Sequence, residues 1–402
     1  MPGAKKSSKL WDKGFETSQQ VIDYTVGNDH ILDRKLVKYD CLASIAHARM
    51  LASIDLLTND EVNQLDTELR VIMAMDERGE FIIAREQEDC HTAIENHLTE
   101  RLGDVGKKIH TARSRNDQVL TAMRLYCKAE LGNIDELARL LIDTLESFKA
   151  KYKKVPLPGY THTRKAMPSS VALWSGAFID SMQDNLSGLA SVRDLIDQSP
   201  LGTGAGYGIP LPLNRKMTAK ELGFARVQEN PIYSQISRGK FEAAILHQLS
   251  QIMFDLNRMA TDLIMFSMPE FGFFKLPKEF CTGSSIMPQK HNPDVFELMR
   301  GKYHQLVSYE FQLKNAMANL ISGYHRDVQL TKEPVMNGFD ITITSLEMCD
   351  LVMQKLDVDT KRCQEAMTSE LYATQRAYEL VQQGMPFRDA YRQIAKEFSG
   401  PQ

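Results

Sequence analysis

The chain has 402 residues, 43% of them hydrophobic, with 48 basic against 52 acidic side chains and a formal charge of −4. That much apolar material can bury a large core without disulfide or metal staples, and two or three domains are expected. The near balance of charge, broken only by short clusters such as Lys5-Lys6 and Lys151–Lys154, points to neither nucleic acid nor an anionic membrane as a partner. The N-terminal stretch is polar, without the apolar core of a signal peptide, and no segment reaches the roughly 18 uncharged apolar residues of a membrane span. Six cysteines, at 41, 90, 127, 281, 349 and 363, form no CxxC pair, which fits a reducing cytoplasm and gives no support to a zinc site or disulfide framework.

In chain order, the first long amphipathic run follows Asn116-Asp117. Val119, Met123, Cys127, Leu131, Ile134, Leu137, Leu141, Leu145 and Phe148 fall on one side of a helix whose weak point is Gly132. Pro168-Ser169 opens a second, with Ser169 as N-cap and Val171, Trp174, Phe178, Met182, Leu186, Leu189, Val192 and Ile196 along its seam. A third runs Phe241, Ile245, Leu249, Ile252, Leu256, Met259, Leu263 and Phe266, in alternating steps of four and three. Asn292-Pro293-Asp294 opens a fourth, in which Leu298, Leu306, Leu313 and Leu320 recur near multiples of seven, and Pro334 opens a fifth that reaches about Leu356. No segment shows sustained strand alternation, so the expected class is all-α: an elongated bundle of five long helices. Residual apolar faces on such helices favour a symmetric homo-oligomer.

Loops held by rigid helices are where chemistry usually sits, and three here are unusually polar. The first joins Glu88-Asp89-Cys90-His91-Thr92 with His110 to Gln118, where Arg113, Ser114, Arg115, Asn116 and Asp117 offer guanidinium forks, hydroxyls and amides suited to carboxylates. The same residues also read as a helix cap. The second, Pro158 to Pro168, places His162 between two hydroxyls, which suits either a general acid or base or a solvated loop histidine. The third is Gly283-Ser284-Ser285-Ile286-Met287-Pro288-Gln289-Lys290-His291-Asn292-Pro293. Its glycine permits a sharp turn with exposed amides, and Lys290 and the following helix N-terminus supply positive potential; as composition alone it is a flexible loop and cap.

That third string resembles the GSSxMPxKxNP segment of the fumarase, aspartase and argininosuccinate lyase superfamily. The run His110 to Val119 is similar to the HTGRSRNDQV of the argininosuccinate lyase branch, with Ala112 in place of glycine, and Gly159 to Pro168 to its GYTHxQxAQP. Pro200 to Ala205, Tyr324 to Glu333 and Gly384 to Ala390 match in the same order, so the resemblance runs from about Leu10 to Ala395. Departures occur at Asp29, where the family usually has a substrate-contacting serine, at Gly208-Ile209-Pro210 in place of Gly-Asn-Pro, and at Ser237-Arg238-Gly239-Lys240-Phe241 in place of Ser-Asp-Arg-Asp-Phe.

The resemblance implies a cofactor-free, metal-free β-elimination that splits argininosuccinate into arginine and fumarate. It implies Ser284 as base, Lys290, Asn292 and the amides near Gly283 around the developing negative charge, and His162, oriented by Glu297, on the leaving-group side. It further implies Ser114, Arg115, Asn116 and Thr161 at the succinyl group, and Tyr324, Gln329 and Lys332 at the amino-acid end, with Lys332 available to the carboxylate. Asp29, Asp89 and His91 are further candidate contacts. The implied architecture is an N-terminal helical domain over 1–112, a central long-helix bundle with the catalytic loops over 113–357 and a short C-terminal helical domain over 358–402. Three loops from different subunits of a homotetramer would share each site. A sister lyase releasing fumarate from adenylosuccinate, aspartate or malate is the nearest rival, and a non-catalytic structural homologue a second. A metallohydrolase fails on spacing, since no HxxxH pair exists among the ten histidines.

Overall fold

The computed structural model describes residues 18–398; Lys5-Lys6 and the start of the matched stretch at Leu10 lie outside them. Helices hold 69% of the residues, and among the described residues β-structure is confined to two-stranded pairs and one isolated bridge, so the class is all-α. Five helices dominate, with 37, 26, 28, 23 and 24 residues: Arg115–Lys151, Val171–Ile196, Lys240–Ser267, Asp294–Ala316 and Lys332–Lys355. The first passes Gly132 without a break.

The fourth and fifth differ in detail from the pattern read along the chain. The fourth stops at Ala316, so Leu320 lies beyond it, and Leu298 is 66% exposed. Its buried seam is Phe296, Met299, Leu306 and Leu313, because an advance of 100° per residue turns Leu298 away from that line. The fifth begins at Lys332, two residues before Pro334, whose missing N–H falls in the first turn where no intrahelical partner exists.

A hairpin interrupts the helices. Pro156–Thr161 pairs antiparallel with Arg164–Ser170, joined by His162-Thr163, and the register shifts between Gly159 and Tyr160. Its three prolines and a glycine hide any alternation, which is why no strand was expected there. Both loop residues are left-handed, with φ of 52° and 59°, the signature of a tight two-residue turn usually given to Asn-Gly.

The chain divides into two compact units, and the division falls inside each of the five long helices. Unit 1 comprises residues up to 133, 189–247 and 308–339. Its core includes Leu36, Val37, Leu51, Leu65, Leu69, Ile72, Ile94 and Leu98, all buried, and a Thr58–Glu61 capping box starts the Asn59–Glu77 helix. Unit 2 comprises 134–188, 248–307 and 340 onward. There Phe148, Trp174, Phe266 and Phe274 form an aromatic cluster with ring centroids 5.0–6.4 Å apart, and Tyr160 of the hairpin leans on Phe266 and Phe271. None of the six cysteines is in a disulfide, and no described helix is long and apolar enough to cross a membrane.

Candidate active site

In unit 1 a pocket is lined by Asp29, Glu88, Asp89, Arg115, Asn116, Arg238, Tyr324, Arg326, Gln329 and Lys332. Segments far apart in sequence meet here because buried carboxylates tie them. Asp117, fully buried, accepts from Ser114 N at 3.0 Å through Oδ1 and from Gly202 N and Gly204 N at 2.9 Å through Oδ2. One side chain thus caps the Arg115–Lys151 helix and pins the glycine-rich loop, whose Gly202 and Gly204 take φ of 87° and 60°. Burial raises the Asp117 carboxyl despite those amides. Asp40 is a second tie: His91 Nδ1 lies 2.9 Å from it, Gln118 Nε2 donates to it at 3.0 Å, and Arg113 sits 3.8 Å away. Burial pushes its carboxyl up, but His91 and Arg113 overcome this and hold it at about 2.

Lys332, 3% exposed, donates to Asp33 at 2.7 Å and to Asp29 at 3.0 Å. Burial disfavours its charge, yet the two carboxylates raise its pKa overall. Asp29 is shifted up, because its own burial outweighs the pull of Lys332. Arg115 donates to Gln118 at 2.9 Å, to Thr92 at 3.2 Å and to Glu95 at 3.3 Å, and lies 3.5 Å from Asp89. Asp89 itself caps the Cys90–Leu102 helix, accepting from Thr92 N at 2.7 Å. Gln329 donates to the Thr25 and Val26 carbonyls at 3.0 and 3.2 Å, holding the segment that carries Asp29.

Of the residues expected to bind, Asp29, Asp89, Arg115, Asn116, Tyr324, Gln329 and Lys332 come together in this pocket, and Ser114 lines an adjoining recess with Thr92 and His110. His91 is fully buried behind it, against Asp40. Glu88, Arg238 and Arg326 also line the pocket, and the reading of the chain assigned them nothing. Each stood in a string already singled out, Glu88 in the first polar loop, Arg326 in the matched Tyr324 to Glu333 run and Arg238 in the unusual Ser237–Phe241 string, but none was given a role.

Unit 2 holds Thr161, His162, Ser284, Lys290, Asn292 and Glu297. Thr161 and His162 are exposed at the hairpin tip. The Gly283 loop is pinched at its base by a bridge in which Thr282 N donates to Asn292 O at 3.1 Å and Asn292 N to Thr282 O at 2.8 Å. Inside it, Ser284 Oγ accepts from Met287 N at 3.1 Å and Ile286 N at 3.3 Å. Two amides aimed at one hydroxyl oxygen stabilise negative charge there, which is what a serine acting as a base requires. Lys290 and Glu297 are exposed, and within the chain His162 and Glu297 form no ion pair with each other.

A family model described as lyase matches residues 15–308. The curated argininosuccinate lyase of Thermotoga neapolitana is 52% identical over 98% of both chains, and that of Sorangium cellulosum 45% identical over 98% of this chain and 91% of its own. Among solved structures, EDDS lyase in complex with formate superposes with a TM-score of 0.80 at 23% identity, covering 95% of this chain and 76% of that one. A class II fumarase from Schistosoma mansoni gives 0.78 at 16% identity, covering 93% and 91%. These two likenesses concern the fold alone; the family model places the chain among the lyases. Within that class, the chain belongs to the argininosuccinate lyase family.

Proposed function

We propose that this lyase splits argininosuccinate reversibly into L-arginine and fumarate, the last step of arginine biosynthesis. The observation that carries the reading is the unit 1 pocket, where Asp29 and Asp89 stand beside Arg115, Asn116, Tyr324, Gln329 and Lys332. Acid, guanidinium and amide groups on one wall suit a ligand that bears ammonium and carboxylate together.

In the reaction Ser284 takes the proton from the carbon beside a succinyl carboxylate. The electron pair left behind becomes the double bond of fumarate as the carbon–nitrogen bond breaks. The guanidino nitrogen leaves with that bond's pair and receives a proton on the side of His162, which Glu297 orients. The aci-carboxylate formed on the way carries about two negative charges and faces Lys290, Asn292 and the amides near Gly283. Ser114, Arg115, Asn116 and Thr161 hold the succinyl group, and Tyr324, Gln329 and Lys332 the amino-acid end, with Asp29 and Asp89 beside it. His91 acts on this wall through Asp40. No cofactor enters the scheme, and its work is divided among an N-terminal domain over 1–112, the long-helix region over 113–357 and a C-terminal domain over 358–402. The active form is a cytoplasmic homotetramer whose copies supply different loops to one site, so that His162 meets its partners only on assembly.

The test mixes purified protein in turn with argininosuccinate, adenylosuccinate, aspartate and malate and follows fumarate by its ultraviolet absorbance. Fumarate and arginine from argininosuccinate alone is the expected result; fumarate from another of the four moves the chain to a sister activity.

A further inference from the structure

The pocket in unit 1 has four cations on its wall, and they differ in what they already hold. Lys332 carries two carboxylates, and Arg115 lies against Asp89 and Glu95. Arg326 is exposed and donates to the Thr25 carbonyl. Arg238 is different: it is only 8% exposed, and its Nη1 is buried with no hydrogen-bond partner. Its guanidinium lies 5.5 Å over the Tyr324 ring, and the acid one turn on, Glu242, turns its Oε2 to Gly239 N at 2.6 Å. A buried guanidinium with an open N–H is costly unless an anion arrives to meet it.

The local sequence explains why the cation sits at this position. The family string Ser-Asp-Arg-Asp-Phe puts an arginine where this chain has Gly239. Here Gly239 has a φ of 80°, and a Cβ on it would lie 2.2 Å from Met317 Cγ, so no side chain fits. The charge is supplied one residue earlier instead.

We infer that Arg238 binds the α-carboxylate of the arginine moiety, a role open to Lys332 on sequence alone. The inference rests on the proposed reaction. Argininosuccinate has three carboxylates, two of which belong to the succinyl group and are met by the Ser114–Asn116 and Ser284–Asn292 loops. The third is the α-carboxylate, and Arg238 is the buried cation in this pocket whose Nη1 meets no hydrogen-bond partner, with Glu242 and Asp29 acting on it only through space. Lys332, neutralised by Asp29 and Asp33, instead fixes the acids that face the α-ammonium.

The test compares L-arginine with agmatine, its decarboxylated analogue, as inhibitors of argininosuccinate cleavage by the assembled enzyme. The unaltered protein should favour arginine by at least ~10-fold, and Arg238→Met should bring the two inhibition constants together. The same variant should raise KM by ~10- to 100-fold while kcat changes little, because a contact kept through the reaction is uniform binding. Its ligand-free thermal midpoint should stay level or rise, since an unpaired buried charge has gone. Arg238→Gln carries the same comparison if the methionine variant does not fold. A variant that still prefers arginine, or one that loses arginine and agmatine equally, overturns the inference while the reaction stands. If the unaltered protein releases no fumarate from argininosuccinate, both fall.

Discussion

Ser284 and His162, the two residues proposed to move protons, are held very differently. Ser284 Oγ already receives two backbone amides, whereas His162 stands exposed on a strained turn and waits for its surroundings. Replacing Ser284 by Ala or His162 by Asn should lower kcat by at least ~100-fold, with the assembled form unchanged on size exclusion; near-normal rates from either would remove it from the mechanism. A buried histidine makes a separate prediction about pH. His47 lies in the core with its Nε2 2.8 Å from Thr111 O, and burial, reinforced by Arg113, pushes it down to about 3. The unfolded chain protonates this group below about 6.5 while the folded one does not, so the contribution is full above about 6.5 and drains away as pH falls toward about 3. Between pH ~7 and ~5 it should cost about 2 kcal/mol of stability, and His47→Gln should remove that share of the slope in urea titrations. At this scale the roles proposed for Ser284, Lys290 and Asn292 come from one ordered string, and that for Glu297 from its place one turn into the helix that follows. Arg238 was not legible in this way, because what marks it is a buried N–H left open, and the ring that covers it, Tyr324, stands far along the chain.

At the scale of elements, the long helices were readable because burial on one side leaves a 3.6-residue trace, and the first three seams hold residue by residue in Leu131, Ile134, Met182, Leu189, Leu249 and Leu256. The fourth slipped because Leu298, though apolar, is exposed. The hairpin left no such trace: its strands are short and rich in proline, and backbone pairing defines them. Its turn holds a β-branched residue at φ 59°, a conformation that clashes with Cβ and is tolerated where surrounding structure enforces it. Thr163→Asn should therefore stabilise the fold by ~0.5–1 kcal/mol, read as a higher thermal midpoint, because Asn accepts the left-handed region more readily. A lower midpoint would mean that the Thr163 side chain supports the tip in a way the turn geometry does not reveal.

For the whole molecule the question is where one site's parts come from. The pocket proposed to bind substrate belongs to unit 1 and the loops proposed to react to unit 2, and the proposed tetramer lets copies exchange them. Mixing Ser284→Ala with Arg115→Met, each inactive alone, should then restore activity once subunits are dissociated and reassembled, because some sites receive an intact pocket from one parent and an intact loop from the other. No recovery in verified mixed oligomers would place every site within a single copy. What the chain determined unaided was its helical class, the polar strings and their order, since periodicity and local chemistry are written in neighbouring residues. What only the tertiary structure decided was which charges are already neutralised. Lys332 looks available along the sequence and is held by Asp29 and Asp33 in the fold, while Arg238 looks incidental and is left with an open N–H, because the worth of a charge depends on what burial brings beside it.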